Sequence, residues 1–501
     1  MCPKRNVKMH IGLDFGTTNS GAAVLYGQQV RVLPLDPWSF GPGTLGPSAL
    51  YLSSRTSAQG RRAKGPASHD PTVIRSTLYV TRDHEIFIGR EAIETYYRQN
   101  VGRPSKMVRR YVGEIEMTFA ELPTFVRDVY VLVDELTPGR LLRSLKSGLA
   151  TGYEGTTIFG RYYELEDLIA TYLREIRRRA EAETGQTVEG VVLGRPVNFV
   201  GGSGEADNQR AENRLRRAAE RAGFREVTLE LEPVAAALYY ELTTGKPQNV
   251  VVFDFGGGTL DVTVMHIGEP GKRQVFATGG VGIAGDAFDQ RTIEALLLDH
   301  FGRGSTVRLG PSPSPLRTGP RGKASGEGTT PFPSQYTDAL VNWQAVPELN
   351  RPETMHFLQL AQINGSHPAR VRALESLLVN NYAVRLFDEV ERAKIALSSA
   401  HFALIRLAEE DIDVWQPLTR SQFESLIAGE THRIEACLVN TLDRSGLQPG
   451  DIDAVVRTGG SAQIPCFIEM LSRIFGPEKV VLSDVFGGVV AGLALRAGVD
   501  S

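Results

Sequence analysis

The feature that most constrains this chain is an internal repeat. His10-Ile-Gly-Leu-Asp14-Phe-Gly16-Thr17-Thr18-Asn19-Ser-Gly-Ala-Ala-Val24 returns, about half the chain later, as Val250-Val-Val-Phe-Asp254-Phe-Gly256-Gly257-Gly258-Thr259-Leu-Asp261-Val-Thr-Val264. Each copy reads as an apolar strand, Asp-Phe, a turn of glycine and threonine, and a second apolar strand. Copies this far apart are no local hairpin coincidence. They imply two similar lobes, each presenting one loop to a shared cleft. Glycines let backbone N–H groups approach phosphate oxygens and form an anion nest, and Thr17, Thr18 and Thr259 add hydroxyl donors. An aspartate aimed at phosphate would be repelled, so Asp14, Asp254 and Asp261 are read as holding Mg²⁺ through its waters. The ligand that fits is a nucleoside triphosphate with its metal.

A third turn agrees. Asp453-Ala-Val-Val-Arg-Thr458-Gly459-Gly460-Ser461 reads as strand then glycine turn, with a helix after Pro465. Backbone without side chains there lets a base or ribose lie close. Between these motifs, helical patterns are expected at Glu164–Glu183, Gln209–Ala222, Glu232–Leu242, 288–300 and 369–399, and strands at 10–15, 21–26 and 190–193. Strands alternating with helices predict an α/β protein. The stretch 302–334 has almost no apolar residues, and its composition predicts a flexible insert.

Composition excludes other classes. The 501 residues carry 55 basic and 58 acidic side chains, a net charge of −3, which gives no global attraction to nucleic acid or to an acidic membrane. Three cysteines without a Cys-x-x-Cys pair make neither a disulfide scaffold nor a zinc module and fit a reducing compartment. No apolar run approaches the roughly 20 residues of a membrane helix, and none precedes Met9 that would serve as a signal peptide. The expectation is a soluble, cytoplasmic protein with no nucleic-acid or membrane partner.

At these motifs the chain resembles the ATPase domain of the Hsp70 chaperones, within the actin, sugar-kinase and Hsp70 superfamily. Ile11–Ser20 and Phe253–Asp261 are similar to the family's two phosphate motifs. Glu232-Pro-Val-Ala-Ala-Ala237 and Val485-Phe-Gly-Gly-Val-Val-Ala-Gly492 resemble its two connecting segments, and Glu391-Arg-Ala-Lys394-Ile-Ala-Leu-Ser398-Ser399 its adenosine-contacting helix. Through Gly194-Arg-Pro-Val-Asn-Phe199 and Val485-Phe-Gly-Gly488 the short subgroup typified by bacterial YegD is most similar.

The resemblance implies a two-lobed actin-like ATPase fold of duplicated ribonuclease-H-like domains, with ATP or ADP and Mg²⁺ in the cleft. Lobe I would span 1–245 with 482–501 returning to it, and lobe II 246–481 with the insert 302–334. It also implies hydrolysis of ATP to ADP and phosphate, with Asp14, Asp254 and Asp261 around the metal and its waters, and Glu232 nearby. Thr259 joins them, Pro196 matches the switch proline, and Lys146 is the candidate for the catalytic lysine, with Lys106 as competitor. Gly16, Thr17, Thr18, Asn19, Gly256, Gly257 and Gly258 would hold the phosphates; Glu391, Lys394, Ser398, Gly459, Gly460 and Ser461 would hold the nucleoside. Gln463 stands where the family has an arginine over the adenine, a loss of about 0.5–2 kcal/mol. The chain stops at Ser501, so the expectation is no peptide-binding domain of its own and an unknown protein partner or client. Slow or absent turnover would make it a nucleotide sensor. An actin-like filament protein and a sugar kinase are the remaining alternatives, and the adenosine helix argues against both.

Overall fold

The computed structural model describes residues 9–27, 29–36, 70–117, 125–202, 204–268, 273–308, 329–342, 345–483 and 487–499. The repeated loops sit in repeated sheets. One sheet runs Glu226–Leu231, Val188–Arg195, Met9–Phe15, Asn19–Tyr26, Gln29–Val32, with Ile74–Arg75 also on the Asn19–Tyr26 strand. The other runs Val480–Leu482, Ala454–Thr458, Gln248–Phe255, Leu260–Ile267, Gln274–Val281. In both, three strands form an antiparallel meander and two more add in parallel beside its first strand. Parallel neighbours need long crossovers, and the Leu165–Thr184 and Glu205–Ala222 helices supply two of them. The central strands are deeply buried: Ile11, Leu13 and Phe15 on one face of the first, and Val250 to Phe253 on both faces of the second.

Two helices of small residues, Glu232–Thr244 and Gly487–Val499, join the sheets into one core. Ala235, Ala236, Ala237, Val489, Leu493 and Ala497 cluster with Val192 of the first sheet and Val250, Val252, Ala454 and Val456 of the second. The helices meet backbone to backbone: a Cβ on Gly492 would lie 1.7 Å from the Ala235 carbonyl oxygen.

The chain forms two compact units, one of Met1–Thr95, Arg140–Gly285 and Glu430–Ser501, the other of Tyr96–Gly139 and Asp286–Gly429. These units cut the chain differently from the lobes expected at 1–245 and 246–481. Both sheets and all three glycine turns belong to the first unit. The second unit contains the helices Pro352–Asn364, Pro368–Val379 and Ala383–Leu397 and the hairpin Phe402–Glu409 with Ile412–Thr419.

Three local expectations change. The single helical stretch over 369–399 is two helices, because Asn381 adopts the left-handed conformation (φ 56°) that asparagine tolerates better than most residues. The helix over 288–300 begins at Gly285 and passes through a π turn at Ile293–Leu297 into a 3₁₀ turn at Leu298–Phe301, keeping Phe288, Ile293, Leu297 and Phe301 buried. The ends of the 302–334 stretch are structured. Thr306–Arg308 pairs with Thr329–Pro331, and buried Val307 and Phe332 anchor that ribbon. Residues 309–328 lie outside the described residues, as do Val485 and Phe486.

Gly492→Ala forces the two helices apart and lowers stability by at least about 1–3 kcal/mol. Gly429→Ala, where an added Cβ meets nothing within 4 Å, is neutral or slightly stabilising. Urea midpoints of the two variants against the parent chain check the contrast.

Candidate functional site

Each hairpin loop is fixed by the ladder below it. Asp14 faces Gly21 across the first hairpin and Asp254 faces Asp261 across the second. The first turn is held from outside: the Ser76 hydroxyl donates to the Gly16 carbonyl at 2.7 Å, and the Ser76 amide to the Thr18 carbonyl at 2.9 Å. In the second, the Gly256 amide donates to the Thr259 carbonyl at 3.2 Å, and the Ser461 hydroxyl to the Gly256 carbonyl at 2.6 Å. The two loops touch. A Cβ on Gly258 would lie 2.6 Å from the Thr17 Oγ1, so any larger residue there must displace the Thr17 side chain. Gly459, with φ +83°, brings the third turn onto the Phe255 carbonyl in the same way. The sequence-predicted phosphate residues Gly16–Asn19 and Gly256–Thr259, with Gly459–Ser461, thus form one continuous surface within the first unit.

Behind the loops lies a cluster of ionisable groups. The Lys146 ammonium donates to Glu232 Oε1 at 2.6 Å, and both side chains are buried. Asp254 and Asp261 are buried as well, and Asp14 Oδ1 is shut from solvent with no hydrogen-bond partner. Burial, then the Glu232 charge, pushes the Asp14 carboxyl up to about 7 against the pull of Lys146. The same two causes push Asp261 up to about 7, although the Val197 amide donates to its Oδ1 at 2.8 Å and the Thr259 hydroxyl also bonds it. Asp254 is raised well above the carboxylate range by burial, then by Glu232, Asp261 and Asp14. Burial opposes the charge on Lys146, but Glu232 and Asp14 outweigh it and hold the ammonium above its usual range. Four carboxyls here share one ammonium.

Lys106, the competing lysine, belongs to the second unit, where its side chain is 61% exposed and its ammonium pairs with Glu135 at 2.7 Å. The second unit also carries Glu391, Lys394 and Ser398. Lys394 donates to Asp289 Oδ2 at 2.6 Å, both well covered. Burial opposes the Lys394 charge; Asp289 and Glu391 more than restore it. Ser398 follows that helix, its amide donating to the Ile395 carbonyl at 3.1 Å. Two residues escaped the sequence reading. Asp289 shows only as one more acid in Gly-Asp-Ala-Phe-Asp-Gln. Thr458 pairs in register with Asp254 and buries an unpartnered hydroxyl, and only the fold sets that register.

Among the described residues no group of three or more His, Cys, Asp or Glu side chains is placed to grip a metal directly. The donor set fits a hydrated hard cation instead: carboxylate oxygens, one of them unpartnered, in a cluster short of positive charge. Among the described residues, no helix is long and apolar enough to cross a membrane.

The raised carboxyls carry a sign. Asp14 and Asp261 keep protons to about 7 when folded, but only into the ordinary carboxylate range when unfolded. The folded state therefore holds extra protons between about pH 4 and 7, and this cluster's contribution to stability declines as pH rises through that window. Asp254→Asn removes a carboxyl whose charged form burial and three acidic neighbours disfavour. In the absence of nucleotide its Tm exceeds that of the parent, and the excess grows from about pH 5 to about pH 8. A difference that is flat or shrinks over that range contradicts the arrangement.

The sequence profile of the family described as Hsp70 protein matches residues 149–316 and 376–501. Chaperone protein DnaK of Thermotoga neapolitana is 26% identical over 375 residues, covering 73% of this chain and 50% of its own. The chain spans about half the length of that curated relative. With a profile matching more than half of its residues, and a mixed α/β fold of duplicated sheets beneath it, the chain belongs to the Hsp70 family.

Proposed function

We propose that this chain is a chaperone-type ATPase that binds ATP and ADP with Mg²⁺ and hydrolyses ATP to ADP and phosphate. The observation that carries the reading is the buried cluster of four carboxyls around one ammonium, directly below two touching glycine–threonine loops. Asp14, Asp254 and Asp261 would hold Mg²⁺ through its waters, and the ion would neutralise phosphate charge. The chain's own residues do the rest. The loop amides of Gly16–Asn19 and Gly256–Thr259 bind phosphate oxygens. Lys146, aimed by Glu232, offsets charge on the transferring phosphoryl and orients the attacking water. Asp261, tied to the Val197 amide and the Thr259 hydroxyl, accepts a hydrogen bond from that water. Its bond to the residue after Pro196 connects the water to the candidate switch proline.

The nucleoside end is assigned to Gly459, Gly460 and Ser461 of the first unit, and for Glu391, Lys394 and Ser398 an adenosine-contacting role rests on the motif resemblance alone. Lobe I is proposed as 1–245 with 482–501 and lobe II as 246–481, with nucleotide between them. A YegD-like subgroup, a cytoplasmic setting and a protein client or partner complete the proposal. The subgroup rests on the motif resemblance in Gly194–Phe199 and Val485–Gly488, the setting on three cysteines without a Cys-x-x-Cys pair, and the client or partner on the family resemblance.

Lys146→Ala leaves ATP affinity within a small factor but slows hydrolysis about 100-fold or more, the size of losing one preorganised donor to the transition state. Gly258→Val, pressing on Thr17, abolishes nucleotide binding. Equilibrium titration with ATP and a single-turnover assay separate the two. Normal turnover in Lys146→Ala with none in Lys106→Ala would reassign the lysine. Tight ATP binding without turnover in the parent chain would make it a nucleotide sensor.

A further inference from the structure

We propose that Arg214 is a positioning residue for hydrolysis: its buried guanidinium holds the turn that carries Lys146, and it acts on the rate through that turn. The inference rests on the ATPase reading above, but its geometry stands apart from it.

Lys146 sits in a short 3₁₀ turn, Leu145–Gly148, entered through Ser144 in the left-handed conformation (φ 55°). A turn of this length has weak hydrogen bonds of its own, and a left-handed serine disfavours it further. Besides the turn's own bonds, among them the Ser147 hydroxyl to the Ser144 carbonyl at 2.7 Å, the Glu205–Ala222 helix braces its far end and the segment that follows. Arg214 Nη1 donates to the carbonyls of Gly148, Leu149 and Thr151 at 3.3, 3.4 and 3.5 Å, and Nη2 donates to that of Tyr153 at 2.9 Å. One helical turn earlier, Arg210 donates to the Ala150 carbonyl.

The guanidinium is itself locked. Glu166, on the Leu165–Thr184 helix, accepts from Nε and Nη2 at 3.1 Å each, a two-pronged pair whose side chains are 7% and 9% exposed. The lysine therefore has two anchors. Glu232 fixes its ammonium, and Arg214 fixes the backbone behind it. A planar fork with five donors can serve a carboxylate and several carbonyls at once; an ammonium on the same stem cannot.

Arg214→Lys keeps the charge beside Glu166 and gives up the fork. It is expected to slow single-turnover hydrolysis at least about tenfold while shifting the ATP dissociation constant less than about threefold, because a small displacement of a reacting group costs rate rather than ground-state binding. In a Lys146→Ala background it adds no further slowing, and backbone amides of 145–153 exchange faster with solvent deuterium. Glu166→Gln, which loosens the guanidinium without removing it, gives the same pattern at smaller size should Arg214→Lys fold poorly. Affinity falling as far as rate, or equal slowing in the Lys146→Ala background, overturns the proposal. If the parent chain binds ATP without hydrolysing it, the ATPase reading falls, and amide exchange decides alone. Exchange at 145–153 unchanged by Arg214→Lys overturns the anchoring, and faster exchange confined to that turn upholds it.

Discussion

The contact on which the site depends is the ion pair between Lys146 and Glu232. Its lysine is the positive centre of a buried group that also contains Asp14, Asp254 and Asp261. A pair removed from water recovers its desolvation cost only when geometry and neighbours are favourable, and here the neighbours are three further acids. The folded chain therefore carries repulsion that burial intensifies. Carboxyls that keep protons to about 7 are one response, and an added cation is another. Such strain is tolerable because the sheets on which it sits are deeply buried and because the lysine is held at both its tip and its base.

The duplicated sheets explain why these groups converge at all. Four of the five ionisable residues lie within one residue of a strand end: Asp14, Asp254, Asp261, and Glu232 just after Glu226–Leu231. Strand ends that are fixed by ladders on both sides leave little freedom to their side chains. The small-residue helices between the sheets let that convergence occur, since bulkier side chains at Ala235 or Gly492 would separate the sheets and open the loops.

Much of this was legible before folding. Glycine and aspartate in a tight turn state their own chemistry, and the repeat of Asp-Phe-Gly made the duplication visible without any long-range information. Lys146 could be nominated only by resemblance; its burial beside Glu232, 86 residues away, distinguishes it from exposed Lys106. Arg214 was one of several arginines on an amphipathic helix, and nothing local marks which arginine turns inward to bond carbonyls 61 to 66 residues earlier. Asp289 and Thr458 stayed hidden for the same reason. The break at Asn381 and the ribbon closing 302–334 were missed because composition averages over single residues. One left-handed asparagine and two buried apolar side chains decide those segments.

The two hairpins differ at the position that faces each aspartate, among others. Opposite Asp254 stands Asp261, but opposite Asp14 stands Gly21, where a Cβ would press within 3.2 Å of Val490 on the Gly487–Val499 helix. Perfect copies would offer an extended polyanion two equivalent orientations across the paired loops. With a second carboxylate on one hairpin and a packing surface on the other, the two orientations no longer have the same energy. Duplication supplies the paired loops, and unequal facing residues, Gly21 and Asp261 among them, make the two loops inequivalent.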